Sequence, residues 1–279
     1  MEQTVQSTKQ WTETKELRKA RKAREKALTE LAQLDQEMGL LDVAPLSPKN
    51  YVVCLKWGNK YSAEYVNKLN NMVKRNLTID YEFVCFTENT AGIDKDIRIE
   101  PLPPIPATGW WFKPYFMSDK LPLRGTLLYL DLDLIVFDNI DKLFTYNPNK
   151  DFLIIRDFNR QVRKNWDRVN SSVFRLKIGS KYSAYEQFLQ ERESIVRRMP
   201  GDQDWMYRYC KPYEYWPDEW IQSYKWEMRG RNTLGVVNGK RNFVQPGEPT
   251  ILPETSIAVF HGKPDIPEAL DEWPRKNWY

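Results

Sequence analysis

The stretch that most constrains this chain is GTLLYLDLDLIVFDNI, residues 125–140, where Asp131 and Asp133 interrupt a run of Leu, Ile, Val and Phe. Such a run reads as a buried strand, and a buried carboxylate is costly unless something neutralises it. Side chains alternate along a strand, so the two aspartates share one face about 7 Å apart, with Leu130, Leu132 and Leu134 on the other. At that spacing the charges repel by about 2 kcal/mol at an effective dielectric of about 20. A divalent cation, arginine partners or a raised carboxyl pKa would relieve the repulsion. So would a strand end where both carboxylates reach solvent and cap loops. Among cations, Mn²⁺ and Mg²⁺ suit carboxylate oxygens.

The sole histidine, His261, stands in IAVFHGKP at the end of another apolar run. A lone histidine is usually an ordinary packed residue. This one precedes Gly262, which lets backbone approach a ligand, and Lys263, which can meet an anion such as a diphosphate. Imidazole plus two carboxylates is a reasonable Mn²⁺ set.

Around these residues, strand-like runs at 51–57, 81–87, 97–103, 151–157, 171–178 and 256–262 alternate with helical segments at 61–75 and 183–199. Alternation of this kind predicts an α/β domain whose mostly parallel sheet is covered on both faces, with ligands at the carboxyl ends of the strands. Residues 1–48 differ. They form a charged helical extension and linker before a main domain at 49–279. Leu28, Leu31, Leu34, Met38 and Leu41 make an apolar stripe, Lys15 to Lys26 is basic, and APLSPKN ends the helix. The stripe predicts packing on the main domain, or self-association, a partner helix or an anionic membrane through residues 11–41.

With 42 basic and 38 acidic residues the charge is nearly balanced, so no nucleic acid is expected as a partner. Cys54, Cys85 and Cys210 cannot complete a disulfide framework, and the first two sit in strand-like runs, which favours a reducing compartment. No window approaches a membrane span. The expected setting is soluble and cytoplasmic, with a peripheral membrane position left open.

Six motifs in order resemble a known family. LLYLDLDLIVFDNIDKLF is similar to the DxD strand of GT-A fold glycosyltransferases, with glycosyltransferase family 8 the nearest in pattern. VVCLKWGNKYSAEYVNKL resembles the nucleoside-holding strand and helix, GWWFKPYFMSDKLP the segment carrying a basic residue over the donor sugar, and VNSSVFRL the Asn-containing strand. GDQDW resembles the DQ motif and FHGKP the terminal His-Gly-Lys-Pro element.

The resemblance implies a single GT-A, Rossmann-like α/β/α domain and metal-dependent transfer from a nucleotide diphosphate sugar, most simply a UDP-sugar, with retention. It implies that Asp131, Asp133 and His261 hold Mn²⁺ or Mg²⁺, and that Lys113, Asn170 and Asp131 meet the donor with Lys263. Asp202, Gln203 and Asp204 would lie at the reaction centre, their individual roles open. Tyr61 either stacks on the base or packs its helix. The acceptor would be a carbohydrate, a lipid-linked glycan or a protein. The chain departs from the family in having Lys113 for arginine, Ser172 for glycine, and His261 only two residues from Lys263.

Other readings stay open. Gly201-Asp202 is also a good helix start with Asp204 in its first turn. The aromatic segment 210–230 offers an acceptor stacking surfaces or simply packs. Asp138, Asn139 and Asp141 read as turn and cap residues. A metal-dependent nucleotidyltransferase would need a further carboxylate, which Asp157 could supply. An inactive GT-A interaction protein acting through its N-terminal helix is the non-enzymatic rival.

Overall fold

The unbroken apolar run Tyr51–Leu55 has no polar face to show to water, and it lies within strand β1 (Lys49–Lys56) near the middle of a seven-stranded sheet. The computed structural model describes residues 49–279 together with Lys19, Lys22, Ala23, Lys26, Thr29 and Glu30. Those six are helical and exposed, and the apolar stripe from Leu28 to Leu41 lies outside the described residues.

Strands β2 (Glu82–Thr87), β3 (Arg98–Glu100), β4 (Gly125–Leu130), β6 (Phe152–Arg156), β7 (Val169–Lys177) and β8 (Glu214–Tyr215) complete the sheet in the order β3-β2-β1-β4-β7-β6-β8. All neighbours run parallel except those of β7, which is antiparallel to β4 and β6. Alternation within β1 divides the core. Val52 and Cys54 pack with Val66, Leu69, Met72 and Val73 of helix α1 (Ala63–Asn76), whereas Tyr51, Val53 and Leu55 share the opposite layer with Phe116 and Phe188. Cys54 and Cys85 sit opposite each other in register as buried free thiols, so they serve here as small apolar groups. At the start of β4, Gly125 has φ +123°, and a Cβ there would come within 2.2 Å of the Lys49 carbonyl oxygen. Only glycine fits.

The run 125–140 is not one strand, contrary to the sequence expectation. It divides into β4 and β5 (Leu134–Val136), and β5 belongs to a separate three-stranded sheet with β10 (Ile257–Val259) and β9 (Ile221–Ser223). The two halves find different partners. Leu130 is paired with Val173 in the large sheet, and Leu134 with Val259 in the small one. Asp131 and Asp133 therefore lie at the corner where the chain changes sheets. There the Asp131 amide donates to Ser172 O at 2.9 Å, and Asp133 O accepts from the Phe260 amide at 2.8 Å. Leu130, Leu132 and Leu134 are buried as expected.

Helix α2 (Asp141–Thr145) begins after turn residues that behave as predicted: Asn139 accepts from the Asp141 amide, and Asp141 from the Thr78 amide. Helix α3 (Tyr182–Arg198) covers one face, and helix α4 (Asp202–Tyr209) starts at the GDQDW motif with Gly201 as its N-cap. Among the described residues no helix is long and apolar enough to cross a membrane.

Strand β7, which carries Asn170 and Ser172, is anchored by Arg175. This buried guanidinium donates to the carbonyls of Leu143, Phe144, Tyr146, Asn147 and Lys150 at 2.6–3.3 Å, closing the C-terminus of α2. An Arg175→Met protein takes the donor away from the buried Leu143 and Phe144 carbonyls and from Tyr146 O, at a cost of about 3 kcal/mol or more. The expected outcome is a melting temperature lowered by about 6–12 °C, read by circular dichroism.

Candidate active site

Lys113 lies in a 3₁₀ segment, Gly109–Met117, whose other side chains are almost all large and apolar. Trp111, Phe112, Tyr115 and Phe116 are buried with it, so the lysine stem follows them inward and its ammonium must find charge partners there. It lies 2.9 Å from Asp131 Oδ1, 3.4 Å from Asp202 Oδ2 and 3.2 Å from Ser171 O. Burial works against the charge, but Asp131 and Asp202 outweigh it and hold the ammonium above its usual pKa. Asp202 is raised by its own burial, with Lys113 opposing. One cation thus joins the end of β4 to the start of α4.

The second aspartate is less well served. Asp131 also receives the Tyr129 hydroxyl at 2.8 Å, whereas among the described residues the Asp133 carboxylate accepts only the Tyr61 hydroxyl, at 3.1 Å. Burial, and then the Asp131 charge, push the Asp133 carboxyl up to about 6. Tyr61 is itself fixed by Lys60 Nζ at 2.6 Å, and the Lys60 charge acts on Asp133 in the opposite direction to Asp131, favouring the carboxylate.

A chain of amides lies beside this cluster. Asn170 Nδ2 approaches Gln203 Oε1 at 3.5 Å, and Gln203 Nε2 donates to Asp157 Oδ2 at 3.0 Å. Asp157 Oδ1 accepts from the Asn159 amide at 2.6 Å and from Asn159 Nδ2 at 2.8 Å. Both Asp157 oxygens are thereby engaged. Asp204 stands outside this chain, half-buried and raised by burial, with Arg168 its opposing charge.

The terminal motif is arranged differently from what its spacing suggests. The Phe260–Asp133 backbone bond brings His261 next to the acidic corner, but the ring is stacked on Phe158 at 5.3 Å, and Nε2 lies 2.7 Å from Ser223 Oγ. Burial and the neighbouring Lys225 and Arg241 push the imidazole down to about 3, so it is neutral. Lys263 Nζ is paired with Asp265 at 2.6 Å and with Glu268 at 2.9 Å. The buried cation of this region is instead Lys225, which donates to the carbonyls of His261 and Lys263 and is pushed down to about 8 by burial.

The structure therefore gathers Lys113, Asp131 and Asp202, joins Tyr61 to Asp133, and joins Asn170 to Gln203. The His261 ring and the Lys263 ammonium are engaged elsewhere. Among the described residues no three His, Cys, Asp or Glu side chains converge into a ready metal site. The carboxylate pair by itself suits a hard divalent cation, because Asp133 has one neutral donor and repels Asp131. His261 Nε2 would join it only by leaving Ser223 Oγ. Sequence reading missed Lys225 and Lys60. The signal for Lys225 was a lone cation inside the aromatic run IQSYKWEM. In the same 210–230 segment Trp216 and Tyr224 are core residues, while Tyr213 and Tyr215 remain partly accessible.

No family model matches the chain, and no curated sequence matches it significantly. Solved structures do. Galactosyltransferase LgtC in complex with donor and acceptor sugar analogues is 12% identical, over 77% of this chain and 88% of that one, at TM-score 0.54. An active-site mutant of LgtC with glutamine replaced by glutamate matches at 12% identity, over 77% and 89%, at TM-score 0.51. The glycosyltransferase GlyE of Streptococcus pneumoniae is 12% identical over 79% of this chain at TM-score 0.56, and the match spans 56% of GlyE. These matches identify the fold as that of the GT-A glycosyltransferases.

An Asp133→Asn protein tests the electrostatics of the corner. A carboxyl raised in the folded state binds its proton more tightly there, so stability falls as pH rises from about 4 to about 6 and stays reduced above that. In chelator at pH 7.5, Asp133→Asn should melt higher than the parent by about 2–8 °C, corresponding to about 1–2 kcal/mol. Its melting temperature should also vary less between pH 4 and pH 6.

Proposed function

We propose that residues 49–279 form a glycosyltransferase domain that uses Mn²⁺ or Mg²⁺ to move a sugar from a UDP-sugar to an acceptor with retention, and that residues 1–48 are accessory. The observation carrying this reading is the Lys113 ammonium, which ties Asp131, beside the under-neutralised Asp133, to Asp202 on the helix that bears Gln203. The fold supports it, since ligands of such sheets bind beyond the carboxyl ends of the strands, where β1 and β4 end here.

In this reading Asp131 and Asp133 hold the cation, which when bound supplies Lewis-acid stabilisation of a leaving diphosphate. Lys113 orients Asp131 through their ion pair while lending positive charge to the donor side. Asn170 and Gln203, already in contact, offer amide groups to sugar hydroxyls. An active-site glutamine also occurs in LgtC, one of whose structures is a glutamine-to-glutamate active-site mutant. Asp202 lies against Lys113 and Asp204 nearer Arg168, so Asp202 and Gln203 are the closer pair to the donor side. Tyr61 positions Asp133 through its hydroxyl, while its ring packs on Tyr65 at 4.8 Å and carries the Lys60 ammonium at 4.4 Å, so a base would stack on it only by displacing Lys60. Lys263 would meet the diphosphate by exchanging Asp265 and Glu268 for it.

The base, the retention and the His261 ligand rest on the motif resemblance. The three buried free cysteines support a cytoplasmic setting. Nucleotidyl transfer would need a third carboxylate beside the pair, and Asp157 has both oxygens engaged by Asn159 and Gln203.

Purified protein incubated with Mn²⁺ and a panel of UDP-sugars should release UDP from at least one of them and stop when EDTA is added. Asp133→Ala should lower that rate by about 100-fold or more. UDP release from none of the donors would overturn the proposal, as would pyrophosphate release from a nucleoside triphosphate and a sugar phosphate. In the same assay, a protein lacking residues 1–48 should hydrolyse the donor within about twofold of the full chain, as expected of a separately folding unit.

A further inference from the structure

The segment DFNRQVRKNWDR, residues 157–168, leaves the end of β6 beside Gln203 and returns into β7 beside Asn170. It carries more positive charge than it balances. The Arg163 guanidinium lies 4.5 Å from the Trp166 ring centre, and that of Arg168 lies 4.1 Å from the Tyr207 ring. Lys211 reaches the same Tyr207 ring at 4.7 Å. Among the described residues, Arg163, Arg168 and Lys211 form no ion pair, and neither does the exposed Lys164 between them. Two carboxylates are nearby. Asp167 is held by Arg156 at 2.9 Å, and Asp204 is half-buried on the inner side of Arg168. The Trp166 Nε1–H is buried with no acceptor.

An exposed cluster of like charges gains nothing from its own repulsion, and a buried donor without an acceptor costs free energy. An incoming anion would relieve both. We propose that this cation–aromatic cluster binds a saccharide bearing carboxylate or phosphate groups, as the part of the acceptor just beyond the reacting sugar. The acceptor role rests on the glycosyl-transfer reading above; the binding does not.

Three features favour a saccharide. Gln203 and Tyr207 are four residues apart on α4, so they share one helix face about 6 Å apart along the axis. A sugar held at Asn170 and Gln203 would therefore extend its next ring over Tyr207. Aromatic faces with a polar edge suit the mixed apolar and hydroxyl surface of a sugar. Guanidinium groups already positioned over those rings need only turn to grip a carboxylate or phosphate by two bonds, which would free the Trp166 N–H to donate to a ligand oxygen.

The test is isothermal titration of the full chain, without donor, using tetragalacturonate, a phosphorylated maltotetraose and neutral maltotetraose. At least one acidic saccharide should bind about tenfold or more tightly than the neutral one, with affinity that falls as salt rises. The double variant Arg163→Gln, Arg168→Gln should lose about tenfold in that affinity while its melting temperature is kept. If that protein does not fold, the exposed Lys211→Gln variant is titrated instead and should bind the acidic saccharide more weakly. Equal affinity for neutral and acidic saccharides would overturn the proposal, as would full affinity in the folded variants or tighter binding of a single-stranded oligonucleotide. Because binding is read without turnover, a protein that releases no UDP yet binds the acidic saccharide would sink only the proposed reaction.

Discussion

One buried ammonium organises the middle of this protein. Lys113 is carried inward by the aromatic residues around it, and its charge can exist there only because Asp131 and Asp202 meet it from two different elements. Removing Lys113 would leave the buried Asp202 carboxylate without its cation, a far larger penalty than losing a surface ion pair. Geometric consequences follow from that constraint. The 3₁₀ segment, the end of β4 and the first turn of α4 must stay in register, and the amide chain from Asn170 through Gln203 to Asp157 inherits the same alignment.

The neighbouring corner is held to a different balance. Among the described residues Asp133 has no cation in direct contact, and it sits where the chain passes from the large sheet to the small one. Backbone bonds on either side, from Asp131 to Ser172 and from Phe260 to Asp133, fix the carboxylates whether or not they repel. Such pre-organised, under-neutralised charge is what a binding site for a divalent ion requires, and sites of this kind commonly hold some strain that the surrounding fold must outweigh. Lys225, buried beneath the His261 and Lys263 carbonyls, braces the loop that closes this side.

Much of this was legible in the residues, and the reasons differ by element. Strands β1, β2 and β7 and helices α1 and α3 were readable because a local apolar period dictates each of them. The aspartates stood out because carboxylates inside an apolar run are rare enough to demand a partner. The division of residues 125–140 into two strands was not legible, since it depends on Val173 and Val259, far away in sequence. The same holds for His261, whose ring is engaged by Ser223 and Phe158, and for Asp157, whose second oxygen goes to Gln203. Short motifs single out candidate residues; which of them touch is settled by tertiary packing.

The account stands on a divalent cation and a nucleoside diphosphate meeting at the Asp131–Asp133 corner. The most direct measurement is calorimetric titration of UDP into the full chain, once with Mn²⁺ and once with EDTA. The account predicts one UDP per chain with Mn²⁺ and affinity weakened by about tenfold or more in EDTA. Equal affinity in the two buffers, or no binding in either, would contradict it.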